Sequence, residues 1–212
     1  MITRRWMLIL AGCAALAGCG RAAGQGADRS AVVFADNCGV CHGPQGEGKP
    51  DIKAPSIAGL PVWYVQAQLG KFREGIRGAH ADDVEGLRMR PMSRSLKPED
   101  VDPVAAYVAA LAPVAPDTTL VGNAEAGKAL YATCGACHGP DGKGMEAMKS
   151  PPIAQLDDWY LATQIHKFKS GIRGANPKDV TGAQMRPMAA TLKDDQAIAD
   201  VVAHLRTLSG GL

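Results

Sequence analysis

The chain has 212 residues, with 23 Lys and Arg against 21 Asp and Glu, a formal charge of +2. That length allows one or two domains, and the near balance of charge gives no basic surface of the kind nucleic-acid binding requires. Three Phe, three Trp and four Tyr are few for two small cores, so a group other than protein can supply buried apolar bulk.

Residues 1–18 read as a leader of the lipoprotein type. Arg4 and Arg5 precede a short apolar run from Met7 to Leu16, and Leu16-Ala17-Gly18-Cys19 resembles a lipobox. Cleavage there makes Cys19 the first residue and a lipid carrier; the alternative site ending at Cys13 leaves a shorter apolar run. The run falls short of the about 20 apolar residues that span a bilayer. Losing residues 1–18 removes two arginines and no acid, so 21 basic and 21 acidic residues remain. Residues 19–28, rich in Gly and Ala, form a flexible tether.

A domain over 29–112 follows, and its N-terminal helix, capped by Asp28 or Ser30, runs into Cys38-Gly39-Val40-Cys41-His42. Two thiols three residues apart can each add to one vinyl group of a porphyrin, and the adjacent His then aims a ring nitrogen at the iron. The pentapeptide returns as Cys134-Gly135-Ala136-Cys137-His138, and residue n matches n+96 without a gap from Cys38 to Leu96. Trp63-Tyr64, Lys71-Phe72, the run Gly75 to Ala79 and Met89-Arg90-Pro91-Met92 all recur in register. Glycines after His42 break the chain into tight loops. A middle helix starts at Pro61, and a last one runs over about 98–111. Pro103 lies in the first turn of that last helix or kinks it. Residues 113–122 read as a linker, and 123–212 as the second domain, with Asn123 capping its first helix and Asp194 near the start of its last. No run alternates as a strand does, so the fold class is all-α.

Cys38, Cys41, Cys134 and Cys137 are therefore the covalent anchors of two haems, with His42 and His138 as proximal ligands to iron. A single four-sulfur zinc site is the alternative, disfavoured because the pairs lie in separate repeats and each is followed by His. The second ring nitrogen of a ligating His commonly donates to a carbonyl; Pro55 and Pro151 supply one or are rigid loop prolines. For the sixth position each repeat offers two methionines, Met89 or Met92 and Met185 or Met188. His80, His166 and His204 do not recur at an offset of 96 and read as surface or loop residues.

Together the pentapeptides, the Trp-Tyr, Lys-Phe and Gly-Ile-Arg-Gly segments and Met-Arg-Pro-Met-Ala-Ala-Thr-Leu resemble the tandem di-haem class I cytochromes c, closest to the type-four subgroup. The resemblance implies two His/Met-ligated haem c groups. The ligand it implies is the methionine seven residues before the Leu that leads into the last helix, which maps to Met89 before Leu96 and Met185 before Leu192, with Met92 and Met188 as second choice and pocket packing. It implies domains paired about a pseudo-twofold axis with haem propionates facing across the interface, where Arg77, Arg173, Arg90 and Arg186 are candidate counter-ions. Tyr64 and Tyr160 are read as packing against their neighbouring tryptophans. With both irons capped no position is open for substrate, so no catalytic residue is expected and the chain is not an enzyme by itself. The expected role is electron transfer in the periplasm, held to a membrane only by lipid. The donor would be a quinol-oxidising complex or a dehydrogenase, the acceptor a terminal oxidase or reductase. A cytochrome subunit of a larger oxidoreductase is the runner-up, and a di-haem peroxidase a third reading.

Overall fold

The computed structural model describes residues 29–115 and 117–211, so the leader, Cys13, Cys19, the tether and the Asp28 cap lie outside the described residues. Among these the chain is helical, and its extended pairing is limited to two isolated bridges, Lys49 with Ala54 and Met145 with Ser150. The first repeat contributes α1 (29–42), α2 (Val62–Arg73), α3 (Val84–Ser95) and α4 (Val101–Ala110). The second contributes α5 (Ala124–His138), α6 (Asp158–Lys169), α7 (Val180–Ala190) and α8 (Asp195–Leu208). No described helix is long and apolar enough to cross a membrane.

Local chemistry accounts for the ends of these helices. Asn123 caps α5 by accepting from the amides of Glu125 and Ala126, as its residue type predicts. Pro103 stands in the first turn of α4, where a missing amide hydrogen removes no helical bond. Helices α3 and α7 differ from the sequence-based plan, which put Met-Arg-Pro-Met ahead of the last helix without a helix of its own. Pro91 and Pro187 lie inside them. Asp83 and Asp179 hold the starts, accepting from the amides of Gly86 and Gly182, and any Cβ on those glycines would collide with the capping carboxylate.

The apolar core runs through both repeats. Phe34, Leu60, Leu96, Val104 and Val108 fill the first half, and Tyr131, Leu156, Leu192, Ile198, Val201 and Leu205 the second. In the first, the Phe34 ring lies 5.0 Å from Tyr107. In the second, Tyr131 lies 5.3 Å from His204. These pairs match at an offset of 97, whereas the cysteines match at 96. Gly39 lies against Phe34 just as Gly135 lies against Tyr131. The extra residue of the first repeat is taken up by a π-helical turn, Ala35–Gly39, which carries the first thiol, Cys38. His204 thus has a structural counterpart in Tyr107, not in Val108, and serves as a packing residue of the second core. Where α5 crosses α8 there is no room for a side chain at Gly127: a Cβ would collide with the Asp200 carbonyl oxygen.

Candidate haem sites and the wall between them

Each pentapeptide ends a helix with its His facing inward. His42 and His138 are both 6% exposed, and Gly43 and Gly139 follow with φ of 83° and 81°, turning the chain back sharply. Amides of Gly48 and Gly144 close on the His42 and His138 carbonyls at 2.7 and 2.8 Å. His42 Nδ1 lies 2.7 Å from the Pro55 carbonyl oxygen, and His138 Nδ1 lies 2.9 Å from that of Pro151. A carbonyl only accepts, so Nδ1 carries the hydrogen and Nε2 keeps its lone pair for a metal. Pro55 and Pro151 thus supply the accepting carbonyls and are more than rigid loop residues. Burial holds both imidazoles below their ordinary pKa, against the opposing pull of the carbonyl, which favours the neutral ligating form.

Two clefts open beside these histidines. The first, of about 190 Å³, is lined by Cys38, Cys41, His42, Pro55, Met89 and Met92 among apolar neighbours. The second, of about 340 Å³, is lined by Cys134, Cys137, His138, Pro151, Met185 and Met188. Met89 and Met185 are half-buried, while Met92 and Met188 are exposed at the rims. Burial drives the Cys38 thiol up to about 11, which reflects how apolar the first cleft is. The two cysteine pairs belong to separate clefts, and among the described residues no three His, Cys, Asp or Glu converge on one point. A shared four-sulfur zinc site is therefore not assembled.

Tyr64, Gln68, Tyr160 and Gln164 line both clefts and form the wall between them. The contacts across the wall come in pairs at an offset of 96. Arg77 donates to Gln164 Oε1 at 3.1 Å, and Arg173 to Gln68 Oε1 at 3.3 Å. Lys53 lies over the Trp159 ring at 5.4 Å, and Lys149 over Trp63 at 5.3 Å. Lys71 donates to Asp179 at 2.6 Å, and Lys167 to Asp83 at 2.6 Å. This reciprocity is the pseudo-twofold relation. The sequence shows Lys71 and Lys167 recurring, but not that each binds the other repeat.

Arg77 and Arg173 stack on Phe72 and Phe168, each 4.6 Å from the ring centroid, and meet the neutral side chains of Gln68, Gln164 and Tyr160. Both leave a buried Nε without a partner. A buried guanidinium with an orphaned donor fits an anionic group in the cleft, as a haem propionate would supply. Arg90 and Arg186 do not line either cleft and lie against Gly75 and Gly171, although Arg90 too has a buried Nε without a partner. Tyr64 and Tyr160 pack edge-on to Trp63 and Trp159 at 5.7 and 5.9 Å, and the Tyr160 hydroxyl also accepts from Arg77 at 3.1 Å.

A family model for cytochrome c matches residues 27–112 and again 124–209. The chain belongs to the cytochrome c family. It is 32% identical over 183 residues to the thiosulfate dehydrogenase electron acceptor of Stutzerimonas stutzeri (strain A1501), covering 79% of this chain and 78% of that protein. Among solved structures it resembles reduced recombinant cytochrome c4 from Pseudomonas stutzeri, with a TM-score of 0.66 and 26% identity over 85% of this chain and 97% of that one. It also resembles a thiosulfate dehydrogenase from Marichromatium purpuratum, with a TM-score of 0.69 and 30% identity. That match covers 85% of this chain, which spans 40% of the larger protein. As a member with two cytochrome c domains, the protein is a di-haem electron-transfer cytochrome with two covalently bound haem c groups.

Proposed function

We propose that Cys38 and Cys41 hold one haem and Cys134 and Cys137 the other, with His42 and Met89 on the first iron and His138 and Met185 on the second. The observation that carries this reading is the meeting, in each cleft, of a carbonyl-backed neutral His with a half-buried Met beside the two thiols. Met92 and Met188 remain the second choice, since they share the clefts but lie 37% and 38% exposed. The haems supply one-electron redox chemistry at two capped irons. The chain's residues keep Nε2 unprotonated, exclude water from the apolar clefts and offer Arg77 and Arg173 as propionate counter-ions.

With both irons capped, the chain acts as a carrier and not as an enzyme by itself. Domains over 29–112 and 123–212 joined by 113–122 would carry the haems in the periplasm, with Cys19 lipid-linked after removal of 1–18. Donors are a quinol-oxidising complex or a dehydrogenase, and acceptors a terminal oxidase or reductase. A second reading, the cytochrome subunit of a larger oxidoreductase, draws support from the relatives named for thiosulfate dehydrogenase. Co-purification with a catalytic subunit would favour it.

The test is a redox titration with absorption spectra on the mature protein and its Met89→Ala and Met92→Ala variants. Two low-spin His/Met haems are expected in the parent. Met89→Ala should lose half of the methionine–iron signature, and Met92→Ala none. Retention of the full signature in Met89→Ala would overturn the ligand assignment. Mass spectrometry of the mature N-terminus checks the lipid on Cys19.

A further inference from the structure

The two interdomain lysines meet different company. Lys71 bridges Asp179 and the neutral hydroxyl of Thr181, both at 2.6 Å. Lys167 bridges Asp83 at 2.6 Å and a second carboxylate, Glu85, at 2.5 Å. Glu85 and Thr181 are equivalent residues one turn before Met89 and Met185, and each lines its own cleft. One lysine against one carboxylate leaves the second cleft's pair neutral. One lysine against two leaves the first cleft's cluster with a net negative charge.

From this we infer that Glu85 orders the two haems: its carboxylate stabilises the oxidised, more positive state of the first iron relative to the second. In the half-reduced molecule the electron therefore rests on the second haem. With both haems in place, an electron that a one-electron donor gave to the first iron would pass on, the first returning from ferrous to ferric as the second went from ferric to ferrous. The other unmatched charge among the residues lining the clefts acts in the opposite sense. Arg88 lines the first cleft where Gln184 lines the second, but it is exposed and screened by water and salt, whereas Glu85 is 31% exposed and held by a buried lysine. Arg77, Arg173, Asp83 and Asp179 are common to both sides and cancel in the comparison. Glu85 is held in its charged form: burial pulls its carboxyl up, but the bond to Lys167 prevails and leaves its pKa below the ordinary value.

The inference rests on the two His/Met haems proposed above, and the swap of residues between repeats tests it. Glu85→Thr gives the first repeat the arrangement that the second already folds with, Thr181→Glu does the reverse, and Glu85→Gln removes the charge with little change of shape. Each variant and the parent are titrated by spectroelectrochemistry, with haem count and the methionine–iron signature recorded alongside. Each single variant should reduce the ratio of the two half-reduced forms by the order of tenfold, the scale of one poorly screened charge in the wall of a site. The double exchange should restore a ratio of opposite sense, read from the paramagnetically shifted haem methyl signals. Unchanged or increased ratios in Glu85→Thr and Glu85→Gln, with two His/Met haems intact, would overturn the inference and leave the proposed function standing. A parent without two such haems removes both.

Discussion

The two repeats place the same groups around their clefts by slightly different routes. In the first, a π-helical turn absorbs one extra residue between Phe34 and Cys38; in the second, α5 runs regularly from Tyr131 to Cys134. Both nevertheless bring a buried His onto a proline carbonyl, at 2.7 and 2.9 Å. Geometry at the paired histidines is thus held while helix register drifts, and the charges along α3 and α7 are where the copies diverge. Glu85 stands opposite Thr181, Arg88 opposite Gln184 and Arg94 opposite Ala190.

Removing the interdomain lysines gives the largest separation between the halves. Lys167→Ala leaves Asp83 and Glu85 facing each other without the ammonium that bonds to both, and should destabilise the protein by about 3–5 kcal/mol. Lys71→Ala leaves a single carboxylate, Asp179, and should cost less. Thermal melts of the two variants check the order; equal losses would mean that the second carboxylate adds nothing. Gly127→Ser copies into α5 the residue that the first repeat has at this crossing, Ser30. Any side chain at this position runs into the Asp200 carbonyl oxygen, so the helices must part, at a cost of about 1–3 kcal/mol in a denaturant titration.

Acid should act on the first repeat's side of the interface. Burial raises the Asp83 and Glu85 carboxyls, but the bonds to Lys167 outweigh it and both lie below their ordinary values of 3.8 and 4.5. Groups with depressed folded pKa values contribute fully above the unfolded values and lose that contribution as pH falls through the folded ones. Stability should therefore be flat in this respect at neutral pH and decline below the ordinary carboxylate range, and Lys167→Ala should flatten that decline. Smallest of all, deleting Asp36 should convert the π-turn to regular helix and give the first repeat the second's spacing. Both haems should be retained, with a stability change within about 1 kcal/mol.

Much of this was legible in the chain itself. The pentapeptides, the gapless stretch from Cys38 to Leu96 and the Asn123 cap depend on neighbours close in sequence, and local chemistry dictates them. Pro55 and Pro151 could be proposed as carbonyl partners because a ligating His requires one. The π-turn was hidden because it straddles the start of the aligned stretch, where the two pentapeptides align residue for residue. Helices α3 and α7 each hold an internal proline, Pro91 or Pro187, a residue that ordinarily breaks a helix, although the Asp83 and Asp179 caps, three residues before Gly86 and Gly182, mark true starts. Lys71 and Lys167 recur visibly, yet their partners lie 108 and 84 residues away, and no local pattern announces them.

The reciprocal bonds across the Tyr64–Tyr160 wall have the form of an isologous dimer, in which residue i of one copy meets j of the other and j meets i. Two separate identical subunits could build the same wall, but they would be obliged to carry the same residue at both positions of every pair. Encoding the halves in one chain lifts that obligation, and it holds them together without a concentration-dependent association step. Glu85 opposite Thr181 is a difference that only a fused pair can keep: joining the copies gives a symmetric scaffold two sites that natural selection can adjust one at a time.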